Sequence, residues 1–279
     1  MTIGVDLGGT NIRAGVRVGD AITQRSEAPL KDKESLESTL NQLNRIIEPL
    51  ISDQVRGIGL AVPSIVDAEN GIVFNVVNIP SWTRVEIRSI LQEMFGLPVA
   101  VQNDANCFAL GEHHHGLARG CKHMVGITLG TGVGSGVIIN GEIYSGKNGG
   151  AGEVGYLNYL DKDYEFYGGS FFFHEKHKVE AKDLFEQAAH GSATAIGIWN
   201  DYGHHIGNLV KTIVYAYDPE MIVFGGSIAN AWRFFEPAMR ETISRRFHFP
   251  GSMQALKIVR SENENIILLG ASALINDQL

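Results

Sequence analysis

The sequence has few cysteines and no long apolar run. Its 279 residues include only Cys107 and Cys121, so a scaffold stapled by disulfides is excluded. The first residues lack the basic and apolar segments of a secretion signal, and we therefore expect free thiols in the cytoplasm. No stretch approaches the roughly 20 consecutive apolar residues of a membrane span, so we expect no membrane partner.

Runs of lysine and arginine are also missing. The chain has 31 acidic and 23 basic residues, for a net charge of −8. This balance argues against nucleic acid or an anionic membrane surface as the main partner. A composition that is 44% hydrophobic and 19% charged is typical of a globular protein, and the length allows two lobes with a sizeable core.

Short apolar runs alternate with helical patterns and with clusters among the 33 glycines. This alternation predicts an α/β fold. Strands are predicted over 2–6, 12–18, 57–61, 99–102, 123–129, 135–139, 221–224 and 256–260. Helices are predicted over 35–50, from 87 to near 96, and over 105–116, 192–217, 231–247 and 270–276. Asn140-Gly141 is a hairpin signal.

One pattern occurs twice along the chain. The segments 4–10 (GVDLGGT) and 126–132 (GITLGTG) each combine a strand with a Leu-Gly turn that contains threonine. A second strand carrying Gly-Val follows in both cases. The repeat favours two lobes of related topology, and the alternative is a chance likeness of two glycine turns.

The glycine turns are candidate phosphate sites. In Gly8-Gly9-Thr10, successive backbone N–H groups can form an anion nest, to which Thr10 adds a hydroxyl donor. Asp6 would repel phosphate unless a cation lay between them, which favours a nucleotide bound with Mg²⁺. A plain hairpin is the alternative for one such turn, but Gly130-Thr131-Gly132 and Gly225-Gly226 favour an actin-like nucleotide cleft.

Asn103-Asp104 follows a predicted buried strand. Phosphoryl transfer to an alcohol needs alignment, neutralised charge and a base for the hydroxyl proton. Asp104 could be that base while Asn103 binds a neighbouring hydroxyl. The alternative is that either residue caps the helix that follows. Glu153, at the end of a glycine-rich stretch, could accept two sugar hydroxyls or be an exposed loop acid.

Several segments together resemble the ROK family of bacterial glucokinases, fructokinases, N-acetylmannosamine kinases and some sugar-responsive repressors. The resemblance runs from Ile3 to about Ala273. The segments are 6–13 (DLGGTNIR), 101–112 (VQNDANCFALGE), 129–136 (LGTGVGSG), 149–155 (GGAGEVG) and 218–227 (DPEMIVFGGS).

The resemblance implies a two-lobed α/β fold of the actin-like ATPase (ribonuclease H-like) type, with the active site in the cleft between the lobes. The first lobe would cover 1–104, with a terminal helix from 265–279 packed on it, and the second would cover 105–264. The implied reaction is phosphorylation by ATP with Mg²⁺ of a sugar hydroxyl, expected to be the 6-OH of glucose or of a related aldohexose or amino sugar. A homodimer is also implied.

Roles for individual residues follow from the same resemblance. Asp104 is the implied catalytic base, and Asp6 would also hold Mg²⁺, through water. The implied nucleotide-binding residues are Asp6, Gly8, Gly9, Thr10, Asn11, Arg13, Thr131, Gly132, Gly225 and Gly226. The implied sugar-binding residues are Asn103, Asp104, Glu153, Tyr156, Glu175, Asn78 and Ser64.

The sequence departs from the family where most members bind zinc. Tyr156 stands in place of a zinc-binding histidine, and the region 159–177 has aromatic residues but none of the family's three cysteines. Phenol and phenyl groups cannot replace thiolates as zinc ligands, so no zinc site is expected and an aromatic cluster could do the metal's mechanical work. A second sugar-binding acid of the family corresponds to Glu175, although a strict count falls on His174.

Three other functions are alternatives to an ATP-dependent kinase. The family's repressors carry a DNA-binding segment ahead of the first glycine motif, and no basic arm precedes Asp6 here. A polyphosphate donor would favour a long basic groove, which a net charge of −8 does not suggest. A sugar binder without catalysis is opposed by the presence of Asp104.

Overall fold

The structure, a computed structural model, describes residues 1–76, 78–245 and 247–275. Within these residues, the first part of the chain forms eight strands and three α-helices. The strands are β1 (Thr2–Leu7), β2 (Asn11–Val18), β3 (Ala21–Pro29), β4 (Ile58–Val62), β5 (Ile65–Asp67), β6 (Ile72–Phe74), β7 (Arg84–Val85) and β8 (Val99–Asn103). The helices are α1 (Leu36–Ile47), α2 (Ile87–Phe95) and α3 (Asp104–His115).

The later part adds seven strands and six helices within the described ranges. The strands are β9 (Met124–Leu129), β10 (Val133–Ile139), β11 (Glu142–Ile143), β12 (Asn158–Tyr159), β13 (Lys162–Asp163), β14 (Met221–Gly225) and β15 (Lys257–Arg260). The helices are α4 (Tyr164–Gly168), α5 (Ala181–Ala189), α6 (Ala193–Tyr217), α7 (Trp232–Ser244), α8 (Pro250–Ala255) and α9 (Ile266–Ala273). None of the helices described is both long and apolar enough to cross a lipid bilayer.

Two five-stranded sheets have the same plan. Their strand orders are β3-β2-β1-β4-β8 and β11-β10-β9-β14-β15. In each, an antiparallel hairpin (β1–β2 or β9–β10) is followed in space by parallel strands. The repeat predicted from the two glycine motifs is therefore present in the topology. The division into lobes at residue 104 stays a prediction.

Most predicted elements are present, with shifted ends. The terminal helix begins at Ile266, four residues before the predicted start at Gly270. The apolar residues before Gly270 belong to the helix, and its predicted end at residue 276 lies outside the described ranges. Helix α7 ends at Ser244 and not at 247. Strand β3 was not predicted because its exposed, polar side chains show no apolar alternation.

Glycines allow α3 and α9 to pack backbone against backbone. A Cβ atom at Gly270 of α9 would lie 1.8 Å from the carbonyl oxygen of Cys107 on α3, and one at Gly111 would lie 2.1 Å from the Ile266 carbonyl oxygen. Helix α9 also rests on the first sheet, where a Cβ atom at Gly4 or Gly59 would overlap its backbone. Since α3 begins with Asp104, these contacts fix that residue relative to β1 and β4.

Replacing Gly270 by alanine should therefore destabilise the protein. The added methyl group forces α3 and α9 apart, and we expect the free energy of unfolding to fall by about 1–3 kcal/mol. The matched control is Gly197→Ala in α6, where a Cβ atom meets no atom within 4 Å and helix propensity favours alanine. Urea unfolding followed by circular dichroism checks this, and equal stability of the two variants would contradict the close packing.

Candidate active site

Three strand ends of the first sheet bring the predicted catalytic residues together. β1 pairs in parallel with β4, with Asp6 beside Ala61, and β4 pairs in parallel with β8, with Val62 beside Asn103. The carboxyl ends of these strands therefore lie along one edge of the sheet. In open α/β sheets this edge is where ligands bind.

The first glycine turn connects β1 to β2. It is closed by the Gly8 amide, which donates to the Asn11 carbonyl oxygen at 3.0 Å, and Thr10 is exposed at its tip. Asp6 is buried before the turn, with 7% of its surface exposed. Its Oδ2 accepts from Nη2 and Nε of Arg13 at 2.5 and 3.2 Å. The chain thus supplies a cation beside Asp6, whereas the sequence alone suggested only a metal ion.

Asn103 caps α3. Its side-chain Oδ1 accepts from the backbone N–H groups of Ala105 and Asn106 at 2.9 and 3.1 Å, as an N-cap residue does. Its Nδ2 donates to the Ser64 carbonyl oxygen at 3.1 Å. The capping alternative raised by the sequence is therefore what the structure has at Asn103. One amide hydrogen is left for a ligand, and the sugar-binding role stays a prediction.

Asp104 is the first residue of α3 and is half-buried. Its Oδ1 accepts from the Ala105 amide at 2.8 Å. Burial raises the pKa of the Asp104 carboxyl to about 7, and the negative charges of Asp6 and Glu153 add to the effect. A carboxyl group that titrates near neutrality can accept a proton from an alcohol and later release it.

The second glycine turn connects β9 to β10 and is held by the segment that follows β13. Glu165 of α4 accepts from the Val133 amide at 2.7 Å through Oε2. The Ser170 amide donates to the carbonyl oxygens of Gly130 and Thr131 at 3.0 and 3.1 Å. Sequence reasoning missed Glu165 and Ser170, because no recognisable spacing links them to the turn.

The third glycine pair lies beside the second turn. β14 pairs in parallel with β9, with Gly225 beside Thr128. Gly226 has a φ of 88°, and a Cβ atom there would lie 2.3 Å from the Leu129 carbonyl oxygen. The positive φ and the close backbone therefore require glycine at position 226, beside the end of the strand that precedes the second turn. The two predicted nucleotide sites of the second sheet are adjacent.

In the part of the chain that the structure describes, no single network of contacts joins all the predicted sugar-binding residues. Asn78 has a φ of 67° and lies against the first glycine turn, since a Cβ atom at Gly9 would be 2.9 Å from its Nδ2. Glu153 is half-buried, and burial together with the charge of Glu165 raises its pKa. Tyr156 is 65% exposed. Glu175 is exposed on a π-helical turn, and no described contact joins it to the other predicted sugar-binding residues.

The residues present do not fit the zinc ion of the family. Tyr156, for which the resemblance implies the place of a histidine ligand, is exposed, and the described residues hold no group of three or more histidine, cysteine or acidic side chains placed to bind a metal. His174 instead pairs with Glu180 at 3.2 Å. The histidine, cysteine and acid donors that a structural zinc site requires are not assembled here.

An aromatic cluster fills this region. Tyr159 stacks on Tyr164 with ring centroids 4.4 Å apart, and Tyr167 lies 4.5 Å from the His205 ring. Burial lowers the pKa of His205 to about 4, so the imidazole is neutral and packs as part of the cluster. The rings in contact are Tyr159, Tyr164, Tyr167, Phe172, Tyr202 and His205.

The chain belongs to the ROK family. The family model matches residues 2–170 and, in a second segment, residues 160–278. The fold is that of the actin-like ATPases: the structure superimposes with a TM-score of 0.82 on a ROK family glucokinase from Streptomyces griseus that holds glucose and AMPPNP. That superposition covers 98% of each chain at 23% identity.

Relatives include both enzymes and regulators. The chain is 27% identical to a glucokinase from Thermotoga maritima, over 99% of this chain and 98% of the glucokinase. It is 28% identical to a xylose repressor from Caldicellulosiruptor bescii, over 98% of this chain and 77% of the repressor. The family is thus established, and the activity is to be inferred from the site.

The raised pKa of Asp104 predicts how Asp104→Asn changes stability. Between the ordinary value of 3.8 and about 7, the folded protein keeps a proton that the unfolded chain releases. The wild type therefore loses stability as pH rises through this window, and asparagine removes the loss. At pH 8 we expect the variant to be more stable by about 2 kcal/mol, less than the full ~4 kcal/mol because the carboxyl is partly exposed.

Urea unfolding at pH 4 and pH 8 measures this difference. The gain in stability should be large at pH 8 and close to zero at pH 4. Asp53→Asn, at an exposed position, is the matched control and should change stability little at either pH. If Asp104→Asn were less stable than the wild type at pH 8, the conclusion that folding raises the pKa of Asp104 would be contradicted.

Proposed function

We propose that the protein is an ATP-dependent kinase that transfers the terminal phosphoryl group to a hydroxyl of a hexose. The expected acceptor is the 6-OH of glucose or of a related aldohexose or amino sugar. The observation that carries this proposal is the Asp104 carboxyl, whose pKa is raised to about 7 at the strand edge that also holds Asp6 and the first glycine turn. The glucokinase relatives support the same assignment.

The donor nucleotide would lie between the two glycine turns. Backbone N–H groups of Gly9 and Thr10 on one side and of Thr131 and Gly132 on the other would bind phosphate oxygens. Gly225 and Gly226 would lie against the adenosine. Arg13 contacts Oδ2 of Asp6 and leaves Oδ1, which would hold Mg²⁺ through water. Bound with ATP, the metal ion neutralises charge on the phosphates.

In the proposed reaction the sugar hydroxyl attacks the terminal phosphorus. Its proton passes to Asp104 as the new O–P bond forms, and the bond from phosphorus to the ADP oxygen breaks. The remaining amide hydrogen of Asn103 would bind a neighbouring hydroxyl, and Glu153 would accept others. Because Asn103 caps α3 and Asp104 is its first residue, the start of one helix would position both base and sugar.

The identity of the sugar depends on the outer part of the site. Ser64 is buried next to Asn103, whereas Tyr156 and Glu175 are exposed and would have to reach the sugar from the surface. A phenol is longer than an imidazole and donates from its tip, so Tyr156 would shape the pocket differently from the histidine of most relatives. A homodimer stays a prediction.

A sugar-responsive regulator is the alternative function, and the likeness to a xylose repressor fits it. A regulator needs sugar binding but no base with a pKa near neutrality. The carboxyl of Asp104 and the two glycine turns favour catalysis. Nothing described at the turns favours polyphosphate over ATP.

A coupled assay of ADP release over a panel of hexoses and amino sugars tests the proposal. The wild type should turn over at least one of them. Asp104→Asn should lower kcat about 100-fold or more with little change in KM for the sugar, because the base is lost and the pocket is kept. Asp53→Asn, which also removes one negative charge, is the control and should keep full activity.

Two results would overturn the proposal. Near-normal turnover in a folded Asp104→Asn protein would remove this residue from the mechanism. Sugar binding measured by calorimetry without any phosphoryl transfer would instead support the regulator.

A further inference from the structure

Lys33 lies at the first glycine turn although it is distant from it in sequence. It belongs to the segment between β3 and α1, and its half-buried ammonium group donates to the Gly9 carbonyl oxygen. An ammonium has three N–H donors, so this bond leaves two for another acceptor. No sequence motif predicts the contact of Lys33 with the turn, because the contact depends on the pairing of β3 with β2.

Among the residues that the structure describes, no carboxylate balances the charge of Lys33. Arg13, the other basic residue identified at the turn, forms an ion pair with Asp6 at 2.5 Å. Within the described part of the chain, the Lys33 ammonium has no acidic group within ion-pair distance. An ammonium group without an acidic partner, placed beside a glycine turn, is a site for an anion, and phosphate is the anion that such turns bind.

Three hydrogen bonds from different parts of the fold hold the Lys33 segment in place. The Leu30 amide donates to the Thr10 carbonyl oxygen at 2.7 Å, and the Lys31 amide donates to Gln42 of α1 at 2.8 Å. The hydroxyl of Ser81 donates to the carbonyl oxygen of Lys33 itself at 2.6 Å. The backbone that carries the ammonium is thus fixed before any ligand binds, as a binding residue requires.

We propose that Lys33 binds the terminal phosphate of the donor nucleotide at the first glycine turn. The inference rests on the proposed function, since it requires a nucleoside triphosphate as donor. Negative charge on the transferred phosphoryl group and its bridging oxygen needs neutralising as the bond to ADP breaks, and an ammonium at the turn does this without a proton transfer. Ser81 belongs to the same loop as Asn78, so the link also joins the phosphate site to a predicted sugar-binding residue.

The alternative is that Lys33 has a purely structural role and only links its segment to the glycine turn. In that role it would stabilise the fold and would affect the affinities for nucleoside diphosphate and triphosphate equally. A phosphate-binding residue would favour the triphosphate, because only that ligand carries the terminal phosphate. The ratio of the two affinities therefore separates the roles.

Calorimetry with ADP and with a non-hydrolysable ATP analogue, both with Mg²⁺, measures this ratio for the wild type and three variants. Lys33→Met should lower the preference for the triphosphate analogue about 10-fold or more, since a charge-assisted hydrogen bond is lost. Lys33→Arg should keep most of the preference. Lys31→Met, which removes the same charge from an exposed residue two positions away, should leave it unchanged.

Kinetics of the same variants give a second readout. Lys33→Met should lower kcat/KM for ATP about 10–100-fold while KM for the sugar changes less than about twofold. If Lys33→Met had a lower Tm but an unchanged ratio of nucleotide affinities, the role of Lys33 would be structural and the proposal would be overturned. If the wild type phosphorylated no sugar but the ratio still fell in Lys33→Met, the proposed function would fail and the phosphate site would stand.

Discussion

The close contact between α3 and α9 is the constraint on which the site depends. Gly111 and Gly270 let the two helix backbones touch, and α9 in turn rests on the first sheet. Because Asp104 is the first residue of α3, a shift of this helix would move the carboxylate away from Asp6 and from the first glycine turn. Phosphoryl transfer depends mainly on alignment, so a rigid backbone contact far from the reacting atoms has a direct chemical consequence.

The electrostatics of the site follow from this packing. Asp6, Asp104 and Glu153 are close enough for their charges to interact, and burial adds to the cost of ionising Asp104. Arg13 neutralises Asp6, and Lys33 adds a positive charge at the turn that no carboxylate in the described part of the chain pairs with. The Asp104 carboxyl thus has a pKa near neutrality and belongs to a site that also has groups able to attract phosphate. This combination suits proton transfer from an alcohol to a carboxylate near neutral pH.

Features formed by neighbouring residues could be predicted from the sequence, whereas features formed by contacts between distant segments could not. The glycine turns and the strand before Asp104 were predicted from apolar runs and turn residues, and so was the twofold repeat of the topology. Strand β3 and the contacts of Glu165 and Lys33 could not be, because they depend on which segments fold back on one another. The hydrogen bonds of Glu165 and Ser170 to the second turn could not be predicted either, since no spacing in the sequence links these residues to it.

The pH dependence of kcat/KM for the sugar tests most directly whether Asp104 is a base held near neutrality by its neighbours. We expect kcat/KM to rise with pH through an apparent pKa near 7, the value for Asp104, because only the ionised carboxylate accepts the proton. In Asp6→Asn the same apparent pKa should fall, since a neighbouring negative charge is removed. A flat profile between about pH 5.5 and 8.5, or a midpoint that Asp6→Asn leaves unchanged, would contradict this account.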